Sequence, residues 1–142
     1  MRKRFIVDSD AIFALYNPDD LLNNSALVTF NRLAEEKCEL VYPSSVIFET
    51  MSLFQRVLAN SEITTLLHEK IQNDELKIYF VEEDVLKDSL SFFKPKGSKK
   101  NTLVDCSVVA IAKKLKADGV FSYDEFYKKN GLKLASELVN PL

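Results

Sequence analysis

Short apolar segments of strand length alternate with longer helical patterns, and this alternation constrains the fold more than any other feature of the sequence. The strand candidates are 5–7, 39–42, 76–81 and 119–122, with a last one near 132–134. The helix candidates between them are 11–16, 21–36, 44–60, 62–72, 82–93 and 102–116. Parallel strands need such crossover helices, so we expect a three-layer α/β/α fold with a central, mostly parallel sheet of four or five strands. The length suits one domain over 1–142.

Composition excludes several classes of functional site. The 142 residues carry a net charge of −2 and include only three glycines, one histidine and two cysteines. Three isolated glycines form neither a P-loop nor a G-x-G-x-x-G turn. His68 alone cannot build a histidine-rich zinc site, and Cys38 and Cys106 match no metal-binding spacing, so two buried thiols in a reducing compartment are expected. The chemistry is therefore expected from carboxylates, hydroxyls or lysines.

No apolar run in the sequence is long enough to cross a membrane, since such a span needs about 18 apolar residues. The basic segment 2–4 is followed by an apolar run that breaks at Asp8, so no signal peptide is expected. The sequence therefore predicts a soluble, cytoplasmic protein without a membrane partner.

Two acidic residues follow strand candidates directly. Asp8 comes after 5–7 and Asp124 comes after 119–122. Open α/β sheets place their sites beyond the carboxyl ends of the strands, so both acids are candidates for one crevice. Asp10 is a further candidate, although a helix N-cap explains it equally well. Capping of the next helix is the structural alternative for Asp124.

Two more acids are single charges within apolar helical segments. Glu49 is the only charge in 46–54, and Asp105 is the only charge in 103–112. Burying an unpaired carboxylate costs several kcal/mol, so such positions favour a functional role. The alternatives are that Glu49 faces solvent and that Asp105 closes a capping box with Thr102.

Convergence of these acids on one crevice would require a cation. Clustered carboxylates repel one another and raise each other's pKa values unless a cation neutralises them. Oxygen ligands without histidine or cysteine favour Mg²⁺ or Mn²⁺ over zinc. Such a centre activates water and stabilises charge on a phosphoryl oxygen, so phosphodiester hydrolysis is the chemistry that fits.

The ordered set of acids resembles the PIN domain, the nuclease fold best known from VapC-like toxins of toxin–antitoxin pairs. The segments that carry the resemblance are 5–15, 44–49, 101–112 and 120–132. The resemblance implies an endoribonuclease that depends on Mg²⁺ or Mn²⁺, is commonly dimeric and is often held inactive by a cognate antitoxin. It also implies a set of catalytic metal ligands: Asp8, Glu49, Asp105 and Asp124.

The chain departs from the PIN pattern at Asp10, where the family more often has asparagine, serine or another small polar residue. A fifth carboxylate either joins the metal ligands or caps the helix. Toxin and housekeeping RNA-processing roles both stay open, as do the RNA target and the number of metal ions.

A lysine-rich segment is compatible with a nucleic-acid substrate. Residues 94–133 hold ten lysines against four acids. Lysine contacts to phosphates give affinity that does not depend on base sequence. Lys96, Lys99 and Lys100 in the loop 94–100 are therefore candidate RNA contacts, with an ordinary solvated loop as the alternative.

Two other functions compete with the ribonuclease. The Asp8-Ser9-Asp10 segment also resembles the D-x-D start of haloacid-dehalogenase-like phosphatases, but Asp118-Gly119 has the wrong order for the paired-acid motif of that class. A catalytically inactive PIN-like module that binds RNA or protein is the other alternative. The presence of all four acids argues against an inactive site.

Overall fold

Four parallel strands form the centre of the molecule in a computed structural model that describes residues 2–139. The strands are β1 (Arg4–Val7), β2 (Glu39–Pro43), β3 (Lys77–Tyr79) and β4 (Gly119–Phe121). Their order in the sheet is β3-β2-β1-β4, and each neighbouring pair is parallel. Phe5, Ile6 and Val7 are buried, as expected for a strand covered on both faces.

Helices connect the strands and cover both faces of the sheet, which confirms the predicted three-layer α/β/α architecture. They are α1 (Ser9–Tyr16), α2 (Asn23–Glu35), α3 (Ser44–Val57), α4 (Ser61–Gln72), α5 (Glu83–Phe92), α6 (Leu103–Lys114), α7 (Phe126–Lys129) and α8 (Ala135–Val139). Helix α6 contacts β1, β2 and β4 directly. Its residues 105–112 are all buried, so this helix forms much of the core. Each buried valine or isoleucine contributes about 1.5–3 kcal/mol.

The predicted fifth strand is present only as one bridge. Leu134 pairs in parallel with Val120 as an isolated β-bridge. The chain turns into α8 at Ala135, so no ladder extends from it. The sheet within the described residues is therefore the smaller of the two predicted sizes.

Helix α3 begins at Ser44, as predicted, but its N-cap makes no side-chain hydrogen bond. Pro43 occupies this N-cap position and is also the last residue of β2, one position beyond the predicted strand 39–42. Ser44 and Ser45 do not cap the helix. The Ser44 hydroxyl accepts from the Val81 N–H at 2.9 Å, and the Ser45 and Ser107 hydroxyls are 2.7 Å apart. Both serines hold α3 against neighbouring segments.

Two further sequence predictions can be compared with the structure. No helix between residues 2 and 139 has both the length and the apolar character that a membrane crossing requires. Cys38 and Cys106 are buried free thiols, as predicted.

Candidate active site

Asp8 lies where β1 ends, beside the end of β4. Val7 pairs with Phe121, and the Asp8 N–H donates to the Phe121 carbonyl at 3.0 Å. The Asp8 side chain is only 3% exposed. Its Oδ1 accepts from the Ser9 N–H at 2.7 Å, so Asp8 caps α1, and its Oδ2 accepts from the Tyr127 hydroxyl at 2.5 Å. The protein therefore fixes both carboxylate oxygens of the first candidate acid.

Asp10 links α1 to the segment that follows β4. Its Oδ2 accepts from the Tyr123 N–H at 2.8 Å and from the Ser122 hydroxyl at 2.9 Å. Its Oδ1 accepts from the Ala11 N–H at 2.8 Å. The N-cap prediction for Asp10 is wrong, because Asp8 holds the N-cap position and Asp10 lies in the first turn. Its carboxylate instead bridges two elements of the fold.

Asp105 is both a helix cap and a neighbour of Asp8. The predicted capping box with Thr102 is present: Asp105 Oδ2 accepts from the Thr102 N–H at 3.0 Å, and the Asp105 N–H donates to Thr102 Oγ1 at 3.4 Å. Its other oxygen, Oδ1, is 3.4 Å from the Tyr127 hydroxyl. Capping therefore orients the Asp105 carboxylate toward the end of β1.

Glu49 does not stand alone in solvent, so the solvent-facing alternative is wrong. The side chain is half-buried, and its Oε1 accepts from the Ser9 hydroxyl at 2.5 Å. This hydrogen bond joins α3 to the first residue of α1, next to Asp8. The Glu49 carboxylate is therefore turned toward the crevice, and its role as a metal ligand stays a prediction.

Asp124 occupies the turn between β4 and α7. Its N–H donates to the Ser122 hydroxyl at 3.1 Å, and its Oδ1 accepts from the Phe126 N–H at 2.9 Å. Phe126 is the first residue of α7, so Asp124 satisfies a free helix N–H there. The predicted capping role of Asp124 is therefore present and uses its Oδ1. The side chain is half-buried.

Sequence reasoning missed Tyr127, which is fully buried between two of the acids. Its hydroxyl donates to Asp8 at 2.5 Å and lies 3.4 Å from Asp105. Ser122 was missed in the same way, since its hydroxyl lies 2.9 Å from Asp10 and 3.5 Å from Asp8. The one signal for both was their position near Asp124, the acid that follows β4: Ser122 lies two positions before it and Tyr127 three positions after it. Their partners are distant in sequence, so the signal did not reveal the contacts.

The acids are electrostatically linked to one another. Burial raises the pKa of Asp8 well above its ordinary value, and the charges of Asp10 and Asp105 raise it further, while the hydrogen bond from Tyr127 lowers it in part. Burial is also the largest cause that raises the pKa of Asp10, and Asp124 adds to it. Burial and the neighbouring acids raise the pKa of Tyr127, so its hydroxyl stays a proton donor.

Asp105 extends this linkage to the remaining acids. Burial raises its pKa to about 6, and the charges of Glu49 and Asp124 contribute to the rise. All five candidate carboxylates therefore belong to one electrostatic cluster at the carboxyl ends of β1 and β4. Strongly raised carboxyl pKa values in a crevice are typical of functional sites.

The donor set suits a hard divalent cation, although the acids are not closed around one. Within residues 2–139, no three histidine, cysteine, aspartate or glutamate side chains stand close enough together to form a ready-made cation cage. Protein hydroxyls occupy the space between the acids: Tyr127 lies between Asp8 and Asp105, and Ser122 lies between Asp8 and Asp10. Oxygen-only donors of this kind fit Mg²⁺ or Mn²⁺.

The three candidate RNA-binding lysines lie outside this cluster. Lys96, Lys99 and Lys100 are exposed on the loop between α5 and α6. The loop ends at Asn101, immediately before the Thr102 cap of α6. The lysines are thus on a segment that leads into the site, and their role in RNA binding stays a prediction.

Comparison with known proteins identifies the fold. No protein-family profile matches the chain, and no curated protein matches it in sequence. The structure of VapC20 from Mycobacterium tuberculosis, a toxin that cleaves the sarcin–ricin loop, matches with a TM-score of 0.74 over 91% of this chain and 96% of that chain, at 18% identity. The chain has the VapC-like PIN fold. The structure of FitAcB from Neisseria gonorrhoeae also matches, with a TM-score of 0.61 over 92% of this chain and 95% of that chain, at 16% identity.

Both matches span nearly the whole of each chain, and they confirm the predicted PIN fold. At these identities the likeness establishes the fold, and the activity of this PIN-fold chain is argued from its own site.

Proposed function

We propose that this chain is a divalent-metal-dependent endoribonuclease that hydrolyses RNA phosphodiester bonds at the crevice formed by Asp8, Glu49, Asp105 and Asp124. One observation carries the proposal: acids from distant segments meet at the carboxyl ends of β1 and β4, and the pKa values of Asp8 and Asp105 are raised there. Repulsion among buried acids lowers the stability of the folded protein, and such arrangements are typical of functional sites. The fold is shared with VapC20, a toxin that cleaves an RNA loop.

Mg²⁺ or Mn²⁺ is the proposed cofactor, held by Asp8, Glu49, Asp105 and Asp124. Mg²⁺ keeps several of its waters and binds proteins through only one or two carboxylates, so it does not require a closed cage. Asp10 is left out of this set, because two backbone N–H groups and the Ser122 hydroxyl bind its oxygens and use it to attach α1 to the segment after β4. When bound, the cation lowers the pKa of a water and offsets charge on a phosphoryl oxygen.

The surrounding residues hold the acids in fixed orientations. The Ser9 N–H and the Tyr127 hydroxyl fix Asp8, and the Thr102 N–H fixes Asp105. The Ser9 hydroxyl fixes Glu49. Groups that are oriented before the substrate arrives need no reorganisation during the reaction, which is how preorganised sites lower a barrier.

Cleavage of a mixed RNA pool tests the proposal directly. We expect cleavage with Mg²⁺ or Mn²⁺, none with a chelator, and none from Asp8→Asn or Asp105→Asn under any condition. Asp74→Asn is the matched control, because Asp74 is exposed, lies between α4 and β3, and has a φ of 55° that asparagine tolerates. Unchanged cleavage by both site variants would refute the site, and cleavage in chelator would refute the metal. Release of inorganic phosphate from small phosphoesters would favour the D-x-D phosphatase instead.

We further propose that the ribonuclease is the toxin of a type II toxin–antitoxin pair. It would form a homodimer and bind a protein antitoxin. VapC20 is itself a toxin. An apolar cavity of about 550 Å³ opens between α3 and α4, lined among others by Ile47, Phe48 and Met51. Phe48 is 76% exposed and immediately precedes Glu49. Exposed apolar patches of this kind mark surfaces that protein partners cover.

Induction of the gene in a bacterial host tests the toxin assignment. We expect growth arrest that depends on Asp8 and is relieved by co-expression of a small open reading frame immediately upstream. Light scattering after size-exclusion chromatography measures the dimer. Phe48→Ser is expected to weaken either the homodimer or the complex with the antitoxin. Normal growth with an active ribonuclease would indicate a housekeeping RNA-processing role.

A catalytically inactive PIN-like module that binds RNA or protein is the second candidate. It is favoured by the lack of a three-residue cation cage within the described range 2–139. The RNA-pool experiment separates the two functions, because an inactive module binds RNA equally well in chelator and leaves it intact.

A further inference from the structure

A small polar cavity lies beside the carboxylate site, between the loop 94–101 and α7. Its volume is about 210 Å³. Its lining includes two lysines, two asparagines, a serine and an aromatic ring, contributed by Lys94, Lys129, Asn101, Asn130, Ser98 and Phe92. Pockets for drug-sized ligands begin at about 300 Å³, so this cavity can enclose only part of a nucleotide.

Both walls of the cavity lead directly to site acids. Asn101 immediately precedes Thr102, whose N–H donates to Asp105 Oδ2 at 3.0 Å. Phe126 also lines the cavity, and its N–H donates to Asp124 Oδ1 at 2.9 Å. A group bound in the cavity would therefore lie next to the edge of the crevice that carries Asp105 and Asp124.

The charges of the cavity favour an anion. Lys94 and Lys129 approach it from opposite walls, and neither forms an ion pair with any residue between 2 and 139. The neighbouring Lys128, by contrast, is neutralised by Glu125 at 3.5 Å and Glu137 at 2.9 Å. Two uncompensated ammonium groups around one concave space create a local positive potential.

The loop that forms one wall is built from two successive turns. The Gly97 N–H donates to the Lys94 carbonyl at 2.8 Å, and the Asn101 N–H donates to the Ser98 carbonyl at 3.1 Å. A Cβ at Gly97 would come within 3.1 Å of the Lys94 carbonyl oxygen, so glycine permits the tight first turn. On the other wall, Asn130 Nδ2 donates to the Phe126 carbonyl at 2.9 Å. Local hydrogen bonds thus hold both walls in place.

We infer that this cavity binds one nucleotide of the RNA strand, with its phosphate between the Lys94 and Lys129 ammonium groups and its base against Phe92. The identity of the strand rests on the proposed ribonuclease function. Lys94 and Lys129 are exposed, as are Lys96, Lys99 and Lys100, but only Lys94 and Lys129 of these five line the cavity. A nucleotide bound there lies beside the bond that is cut, where phosphate contacts fix the register of the strand.

Nuclear magnetic resonance titration with adenosine and uridine 5′-monophosphate tests the site without any cleavage step. We expect the backbone amide signals of Gly97, Ser98, Asn101 and Asn130 to shift on titration in chelator. Lys94→Gln/Lys129→Gln should bind the nucleotide about tenfold more weakly, because charge-assisted contacts to the phosphate are lost. The double variant should also bind a single-stranded RNA hexamer with a weaker salt dependence. The slope of log affinity against log salt concentration should be shallower by about 0.7, because one phosphate contact is lost.

Lys3→Gln/Lys133→Gln is the matched control. It removes the same charge from exposed residues near the amino ends of β1 and β4, at the opposite edge of the sheet from the acids. Equal losses in the two double variants would overturn the inference, since only net charge would then matter. Inorganic phosphate binding as tightly as the nucleotides would overturn the role of the base. Shifts produced by an acidic hexapeptide but not by nucleotides would overturn it in favour of a protein partner.

The two proposals fail separately. A protein that binds nucleotides at these amides but leaves RNA intact with every metal contradicts the ribonuclease and leaves the nucleotide site standing. A protein that cleaves RNA with unchanged affinity and salt slope after Lys94→Gln/Lys129→Gln contradicts the nucleotide site alone.

Discussion

The hydroxyl of Tyr127 donates to Asp8 Oδ2 at 2.5 Å and lies 3.4 Å from Asp105 Oδ1, so one fully buried phenol joins two acids that are 97 positions apart in the sequence. The hydrogen bond stabilises the ionised form of Asp8 against the burial and repulsion that raise its pKa. Tyr127 therefore acts as a positioning residue for the proposed site.

Replacing Tyr127 with phenylalanine tests this role. The ring still fills its buried position, but Asp8 loses the donor that lowers its pKa. We expect the acidic limb of the pH–rate profile for RNA cleavage to move to higher pH. Tyr123→Phe is the control, because the Tyr123 hydroxyl bonds to Ser25 at 3.1 Å instead of to an acid. Identical pH profiles in the two variants would show that the Tyr127 hydroxyl has only a structural role.

Local pattern was sufficient to predict most of the fold and to select the acids of the candidate site. Asp8 and Asp124 each follow a strand, and Glu49 and Asp105 are single charges in the apolar segments 46–54 and 103–112, so these four acids were recognisable one by one. All four have their side chains hydrogen-bonded at or beside the crevice in the structure.

Features that depend on tertiary contact could not be predicted in this way. For Asp10 the choice between a helix cap and a metal ligand stayed open, because its bond to the Tyr123 N–H joins residues 113 positions apart. The predicted strand 39–42 stops one residue short of Pro43, whose φ of −61° is compatible with both the end of β2 and the start of α3. Tyr127 was overlooked because nothing in the short segment 126–129 shows that its ring is buried. Such roles arise from the partner and not from the local sequence.

The raised pKa of Asp105 predicts a pH-dependent stability of the metal-free protein. Its folded pKa of about 6 exceeds the ordinary value of 3.8, so the folded state binds this proton more tightly than the unfolded state. This contribution to stability is present below about pH 4 and is lost as the pH rises through about 6. Asp105→Asn should therefore be more stable than the wild type at pH 7.5, by on the order of 2 kcal/mol, and nearly equal to it at pH 4.

Urea denaturation in chelator at the two pH values measures this difference. Asparagine still offers an oxygen to the Thr102 N–H, so the capping box of α6 is preserved. Asp74→Asn shows how much the loss of one exposed carboxylate changes stability by itself. A variant at Asp105 that is less stable than the wild type at pH 7.5 would contradict the repulsion inferred at this site.

A divalent cation should stabilise the folded protein, because it offsets the repulsion among the acids. At pH 7.5 we expect Mn²⁺ to raise the melting temperature, with a gain in the free energy of unfolding of about 2.7 kcal/mol at a hundredfold excess over the dissociation constant. Asp8→Asn and Asp105→Asn should lose this shift, and Asp74→Asn should keep it. An unaltered melting temperature of the wild type in Mn²⁺ would count against metal binding, whatever the activity measurements give.

Asp10 separates a structural carboxylate from a metal ligand. Its oxygens accept from Ala11, Ser122 and Tyr123, which attach α1 to the end of β4. Asp10→Ala leaves these buried donors without an acceptor and should lower the free energy of unfolding by about 1–3 kcal/mol. Asp10→Asn keeps one accepting oxygen, so it should retain most of the stability, the Mn²⁺-induced melting shift and the cleavage rate. A stable Asp10→Asn variant that has lost the Mn²⁺ shift would make Asp10 a ligand after all, because its charge and not its hydrogen bonding would then be what the site requires.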